Sequence, residues 1–229
     1  MNTDGVPVFK SSNVSIWPLF LTINELNLTQ RMSHENMILA GLWFGSMKPE
    51  MCTYLKPFVL SMKMLNSGVQ LFSPERGSFN CKAFLIAVTA DLPAKAMLCN
   101  SIQYNGSFGC WHCLQKGETA TRGRGHVHIF PFIEDFPKGP IRTVEGTLKD
   151  AQTVIDFGKS NFSLNGVKGP SLLSFCPTFD LIDGVAIVGV SIDDVDKDDI
   201  VDSIATVGHL IDPTDKTNST NEIHDAIAP

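Results

Sequence analysis

The sequence predicts an α/β fold built on a mixed sheet. Short apolar runs rich in aromatic and β-branched residues recur through the first ninety positions, as buried strands do. Between them lies one stretch of helical periodicity. From Tyr104 onward a Gly-, Cys-, His- and Arg-rich segment interrupts the pattern.

The elements follow in order. Residues 2–7 (NTDGVP) read as the end of a strand. Residues 15–26 (SIWPLFLTINEL) form a second apolar run and residues 37–44 (MILAGLWF) a third. Pro49-Glu50 opens residues 51–66. There Leu55, Phe58, Val59, Met62 and Leu65 repeat at the i, i+3, i+4, i+7 spacing of an amphipathic helix. Asn66 and Gly68 supply its stop. Residues 69–72 suit a short strand. Residues 79–89 (FNCKAFLIAVT) are apolar nearly throughout and predict one continuous central strand covered on both faces. Residues 147–157 predict a short helix with Thr147 as N-cap, and residues 161–183 predict loops.

The chain therefore divides into a first core segment (1–103), an irregular Cys/His insert (104–140), a loop-rich continuation with one short helix (141–189) and an acidic tail (190–229) expected to be disordered. No internal repeat is present. Three strands, a helix and a further strand are the opening of an RNase H-like fold, and other α/β folds share that order.

Composition narrows the classes. With 43% apolar and 18% charged residues in 229, the chain is globular in character. The net charge of −6 is uneven: residues 1–189 carry about +2 and residues 190–229 carry −8. The acidic balance thus belongs to the tail and places no general objection on nucleic-acid binding by the body. The longest apolar runs, such as residues 83–90, fall far below the length of a membrane span. Residues 1–30 lack a basic start followed by an apolar core. The six cysteines are expected as reduced thiols or metal ligands, because no secretory signal accompanies them.

Two constellations carry chemistry. Asp4 and Asp91 could converge if the strands preceding them are neighbours. Two carboxylates at one point offer hard oxygen ligands to Mg²⁺ or Mn²⁺, as two-metal phosphoryl transfer requires. Each has a plainer reading: Asp4-Gly5 as a turn dipeptide and Asp91 as a helix cap before Pro93. The second constellation is Cys110-Trp111-His112-Cys113 with His126 and His128 downstream. A CxxC pair can grip one zinc ion, and one histidine could add a third ligand. An unmetallated thiol pair in a loop is the alternative. Lys116, Arg122 and Arg124 make this insert locally basic. The acidic run from Asp193 to Asp199 fails as a calcium loop, because its sixth position from Asp194 is Asp199 rather than Gly.

Taken together, NTDGVPVFKSSNVSIWPLFLTINEL, KPEMCTYLKPFV, FNCKAFLIAVTADLPAKAMLC and NGSFGCWHCLQKGE resemble the transposase domain of CACTA-type (En/Spm-like) DDE transposases, over residues 2–185 or so. The resemblance implies an RNase H-like catalytic domain that cleaves DNA and transfers strands with Mg²⁺ or Mn²⁺. It identifies Asp4 and Asp91 with the first two catalytic acids, and Cys110 and Cys113 with zinc ligands of the family's insert. It also implies DNA as partner and a nuclear location. The sequence departs from the family after residue 186, and no residue matches the third acid. The expectation is a domain incomplete at both ends, catalytically inactive, with exposed apolar edges that favour self-association and no membrane partner. A non-catalytic DNA- or protein-binding module around the Cys/His insert is the alternative, and a non-functional gene remnant another.

Overall fold

The structure is a computed structural model and is described for residues 1–8, 14–135, 137 and 139–187. Its elements are β1 (Asn2–Thr3), β2 (Val6–Pro7), β3 (Ser15–Leu21), α1 (Leu28–Arg31), β4 (Ile38–Gly45), α2 (Met51–Ser67), β5 (Val69–Ser73), β6 (Gly77–Cys81), β7 (Val88–Ala90), α3 (Leu92–Leu98), β8 (Glu118–Arg122), β9 (Gly125–Ile129), α4 (Val144–Phe157) and β10 (Val185–Ile187).

One mixed sheet organises them, in the order β10-β7-β1-β3-β2 with β4 on the far edge of β3. The strands β1, β7 and β10 are parallel to one another. The strands β1, β2 and β4 are antiparallel to β3. β1 and β2 run in succession along the same edge of β3, with Thr3 opposite Leu19 and Val6 opposite Ile16. They are one line of chain broken at Asp4-Gly5. Glycine is required at that break, since a Cβ on Gly5 would lie 2.6 Å from the Trp17 ring.

The helix α2 forms as its periodicity predicts. The Glu50 carboxylate accepts from the Cys52 and Thr53 amides at 3.2 and 2.8 Å, satisfying donors that the first turn leaves free. The helix ends at Gly68. Its inner face buries Tyr54, Leu55, Phe58, Val59 and Met62 against Trp17, Leu19 and Val88 of the sheet. Burial of each large apolar side chain contributes about 1.5–3 kcal/mol. Tyr54 ties the layers together: its hydroxyl donates to the Trp17 carbonyl at 2.8 Å and lies 3.2 Å from the buried Thr3 hydroxyl.

The structure departs from the sequence expectation in four places. The strand expected to run to residue 26 stops at Leu21, and the Leu26 amide turns back to the Ile23 carbonyl at 3.3 Å. Residues 79–89 are not one strand. β6 closes a separate hairpin with β5, and only β7 enters the main sheet. Between them Leu85 is buried, whereas Phe84 and Ile86 stand 49% and 61% exposed. The helix expected from residue 147 begins at Val144, capped by the Thr143 hydroxyl, which accepts from the Gly146 amide at 3.1 Å. Thr147 is buried within the helix instead. The insert is less irregular than expected, because β8 and β9 pair over five residues each. The tail expectation for residues 190–229 lies outside the described residues. Among the described residues, no helix is long and apolar enough to cross a membrane.

Leu55 is fully buried at the centre of the α2–sheet contact, and Lys56 beside it is exposed. Leu55→Ala should cost about 2–5 kcal/mol in urea unfolding, and Lys56→Ala should stay within about 0.5 kcal/mol. Equal effects would contradict the packing described.

Candidate functional site

Asp4 and Asp91 sit at the ends of adjacent parallel strands. Asn2 of β1 is paired with Thr89 of β7, so each aspartate follows a paired position by two residues. Both therefore lie at one level of the sheet, on strands about 4.8 Å apart. The pairing is reinforced by side chains. The Asn2 amide donates to the Thr89 carbonyl and hydroxyl at 3.1 and 3.0 Å, and the Thr89 amide donates to the Met1 carbonyl at 2.8 Å. Thr3, Val88 and Ala90 point into the core at 0%, 0% and 1% exposure. The partly exposed Asn2, Asp4, Thr89 and Asp91 alternate with them.

Each carboxylate accepts from a nearby backbone amide. Asp4 Oδ1 accepts from the Gly5 amide at 2.7 Å, and Asp91 Oδ1 accepts from the Ala94 amide at 2.6 Å. Asp91 is thus the N-cap of α3, with Pro93 in the first turn. The cap reading of Asp91 holds as local structure. The turn reading of Asp4-Gly5 does not: the chain runs straight on from β1 to β2 along one edge of β3, and the Gly5 amide bonds the neighbouring Asp4 carboxylate. Among the described residues, no third His, Cys, Asp or Glu joins them in a metal-sized group.

Cys110 and Cys113 also come near one another, close enough for the Cys110 thiol to perturb the Cys113 proton. The loop carrying them is pinned to residues 140–142. The Leu114 amide donates to the Pro140 carbonyl at 2.7 Å and the Arg142 amide to the His112 carbonyl at 3.0 Å. Trp111 is buried between the thiols in sequence and donates its indole N–H to the Leu181 carbonyl at 3.0 Å. Burial, above all, pushes the Cys113 thiol up, the Gln115 backbone opposes this, and the nearby Cys110 thiol adds to it. His126 and His128 lie two residues apart on β9, opposite Thr121 and Thr119. His126 is exposed, and His128 packs edge-on against Phe130 with ring centroids 5.2 Å apart. No histidine completes a group of three donors with the thiols among the described residues. Two thiols alone do not make the four-coordinate site that structural zinc takes.

Two buried cations beside the thiols escape a reading of the sequence. Arg142 is 3% exposed, donates to the Cys110 and Asn165 carbonyls at 3.2 and 2.9 Å, and stacks 5.3 Å from the Trp111 ring centroid. Lys95 is 4% exposed and donates to the Val185 carbonyl at 2.7 Å, strapping α3 to β10. Burial lowers the pKa of each, and nearby thiols oppose that: Cys99 and then Cys110 for Lys95, Cys110, Cys113 and Cys99, after Asp150, for Arg142. Single Lys and Arg residues in mixed surroundings carry no pattern that distinguishes them from surface charges.

Burial also pushes the Cys99 thiol up to about 12 and the Cys176 thiol up to about 11. Folding holds these protons more tightly than the unfolded chain does. Their contribution to stability is therefore full below the ordinary thiol value near 8.5 and is lost as pH rises toward the folded values. The melting temperature should fall as pH is raised from about 9 to 11, and the fall should be shallower in Cys99→Ala measured against its own neutral-pH value. An unchanged slope in that variant would show that Cys99 is not held protonated by the fold.

No curated protein and no solved structure matches the chain. The family model described as transposase family tnp2 matches residues 1–133. That span covers β1 through β9, both aspartates, both CxxC thiols, and His126 and His128. It takes in more than half of the 229 residues, and the chain belongs to the transposase family tnp2.

Proposed function

We propose that this chain is a transposase-derived, DNA-acting domain of the CACTA type, in which Asp4 and Asp91 are the first two acids of an ancestral DDE centre on an RNase H-like core. The observation that carries this reading is the parallel Asn2–Thr89 pairing, which sets the two aspartates level on adjacent strands. The sheet order, with β1, β7 and β10 parallel and β3 reversed between β1 and β4, supports the RNase H-like assignment.

The donor set fits one divalent cation. Asp4 and Asp91 would hold it through their carboxylate oxygens. A bound Mg²⁺ or Mn²⁺ supplies Lewis acidity toward a phosphoryl oxygen. The protein contributes orientation: the β1–β2 break and the α3 N-cap each fix one carboxylate before any ligand arrives, which lowers the entropy cost of binding. Two-metal hydrolysis needs a second ion clamped on the other side of the scissile phosphate. Among the described residues no further carboxylate joins the pair to hold it. The domain so read binds one cation through this pair and, lacking a match to the family's third acid, does not turn over DNA. The CxxC loop serves as a structural support of the core, through Trp111 and Arg142.

Calorimetric titration with Mn²⁺ tests the pair. The chain should bind one ion, and Asp4→Asn or Asp91→Asn should each weaken binding by about tenfold or more. Asn at position 91 retains the capping oxygen, so its effect isolates the charge. Binding unaltered by both variants would remove the basis of the proposal. Mn²⁺-dependent cleavage of a terminal-repeat duplex that disappears in Asp91→Ala would overturn the claim of inactivity.

A further inference from the structure

The β8–β9 ribbon serves neither the aspartate pair nor the thiol pair. Its strands pair from Glu118–Ile129 to Arg122–Gly125. They are joined by a two-residue turn, Gly123-Arg124, in which Gly123 has φ +60. That is the geometry of a type II′ hairpin turn, which needs a glycine at its first position. A Cβ on Gly123 would meet nothing within 4 Å. Every residue from 121 to 127 is exposed, on both faces of the ribbon. Packing is confined to its base, where the His128 ring lies against Phe130 and Gly117; the exposed tip gains little from packing, so the core does not explain its sequence.

The chemistry of the ribbon is ordered. Arg122 and Arg124 flank the turn glycine at the tip. Along one face, Thr121 stands opposite His126 and Thr119 opposite His128. These side chains donate and accept hydrogen bonds and carry no negative charge. The other face bears Arg122, Ala120, Val127 and Ile129, with the one acid of the ribbon, Glu118, at its base. Positive charge at a projecting tip, followed by a hydrogen-bonding face, complements a polyanion with readable edges. The major groove of duplex DNA is about 12 Å wide and admits a two-stranded ribbon. The deep, narrow major groove of A-form RNA does not.

We infer that the β8–β9 ribbon is a duplex-DNA contact, with Arg122 and Arg124 at its tip on phosphates and the Thr121/His126 face toward the groove. This rests on the reading of the chain as DNA-acting and assigns that contact to a defined element, away from Asp4 and Asp91. Fluorescence anisotropy of the full chain with a short labelled duplex, across a KCl series, tests it. The wild-type chain should bind. Arg122→Ala/Arg124→Ala should weaken binding about tenfold, and should reduce the slope of log affinity against log salt by about 2. Lys149→Ala/Lys159→Ala removes two exposed cations from α4 and its end, and should leave affinity near wild type. Wild-type binding with the arginine variant unaffected, an equal loss in the lysine variant, or equal affinity for duplex RNA would each overturn the ribbon assignment and leave the family reading standing. No binding by the wild-type chain would overturn the DNA-acting reading along with it.

Discussion

The parallel pairing of β1 with β7 is the constraint on which the rest depends. β1 is only two residues long, and a pair that short is weak by backbone bonds alone. It holds because other interactions converge on it. Asn2 reaches across to Thr89 with both amide hydrogens, Thr3 is fully buried under α2, and the Tyr54 hydroxyl joins Thr3 to the Trp17 carbonyl. Desolvation keeps Tyr54 protonated, with its pKa raised to about 12, so this bridge persists throughout the physiological range. Residues far apart in the chain are thereby fixed side by side, and Asp4 and Asp91 inherit the arrangement.

A second convergence secures the opposite edge of the sheet. Lys95 on α3 bonds the Val185 carbonyl, Trp111 bonds the Leu181 carbonyl, and Arg142 bonds the Cys110 and Asn165 carbonyls. These three side chains gather β10, the CxxC loop and the segment after the ribbon around α3; Arg142 does so through Nη2 alone, its Nε and Nη1 being buried without a hydrogen-bond partner among the described residues. The cysteine pair thus sits in a framework organised by buried cations and backbone carbonyls. The tip of the ribbon beyond it, residues 121–127, is exposed, which suits an element that meets an external partner.

Elements whose signal is local were legible in the sequence. The apolar face of α2 appears as Leu55, Phe58, Val59 and Met62, all of which are buried. β4 appears within one residue of its observed ends. The run of residues 79–89 misled because hydrophobicity does not report pairing: Phe84 and Ile86 are apolar and exposed, and β6 and β7 join different sheets. Thr143 and Thr147 are equivalent by propensity, and only the Gly146 amide at 3.1 Å from the Thr143 hydroxyl decides between them. Nothing in one sequence sets the register of Asn2 against Thr89, a contact across 87 positions. The motif resemblance pointed to both aspartates, whereas Lys95 and Arg142 required coordinates, because burial of a lone cation leaves no periodic trace.

Crystals soaked in Mn²⁺ offer the most direct test of the account, through the anomalous scattering of the metal. A single peak shared by the Asp4 and Asp91 carboxylates, and lost in Asp4→Asn crystals, is the predicted result. A peak elsewhere with those two side chains unligated, or one that survives Asp4→Asn unchanged, would contradict the claim that the β1–β7 register builds a cation site.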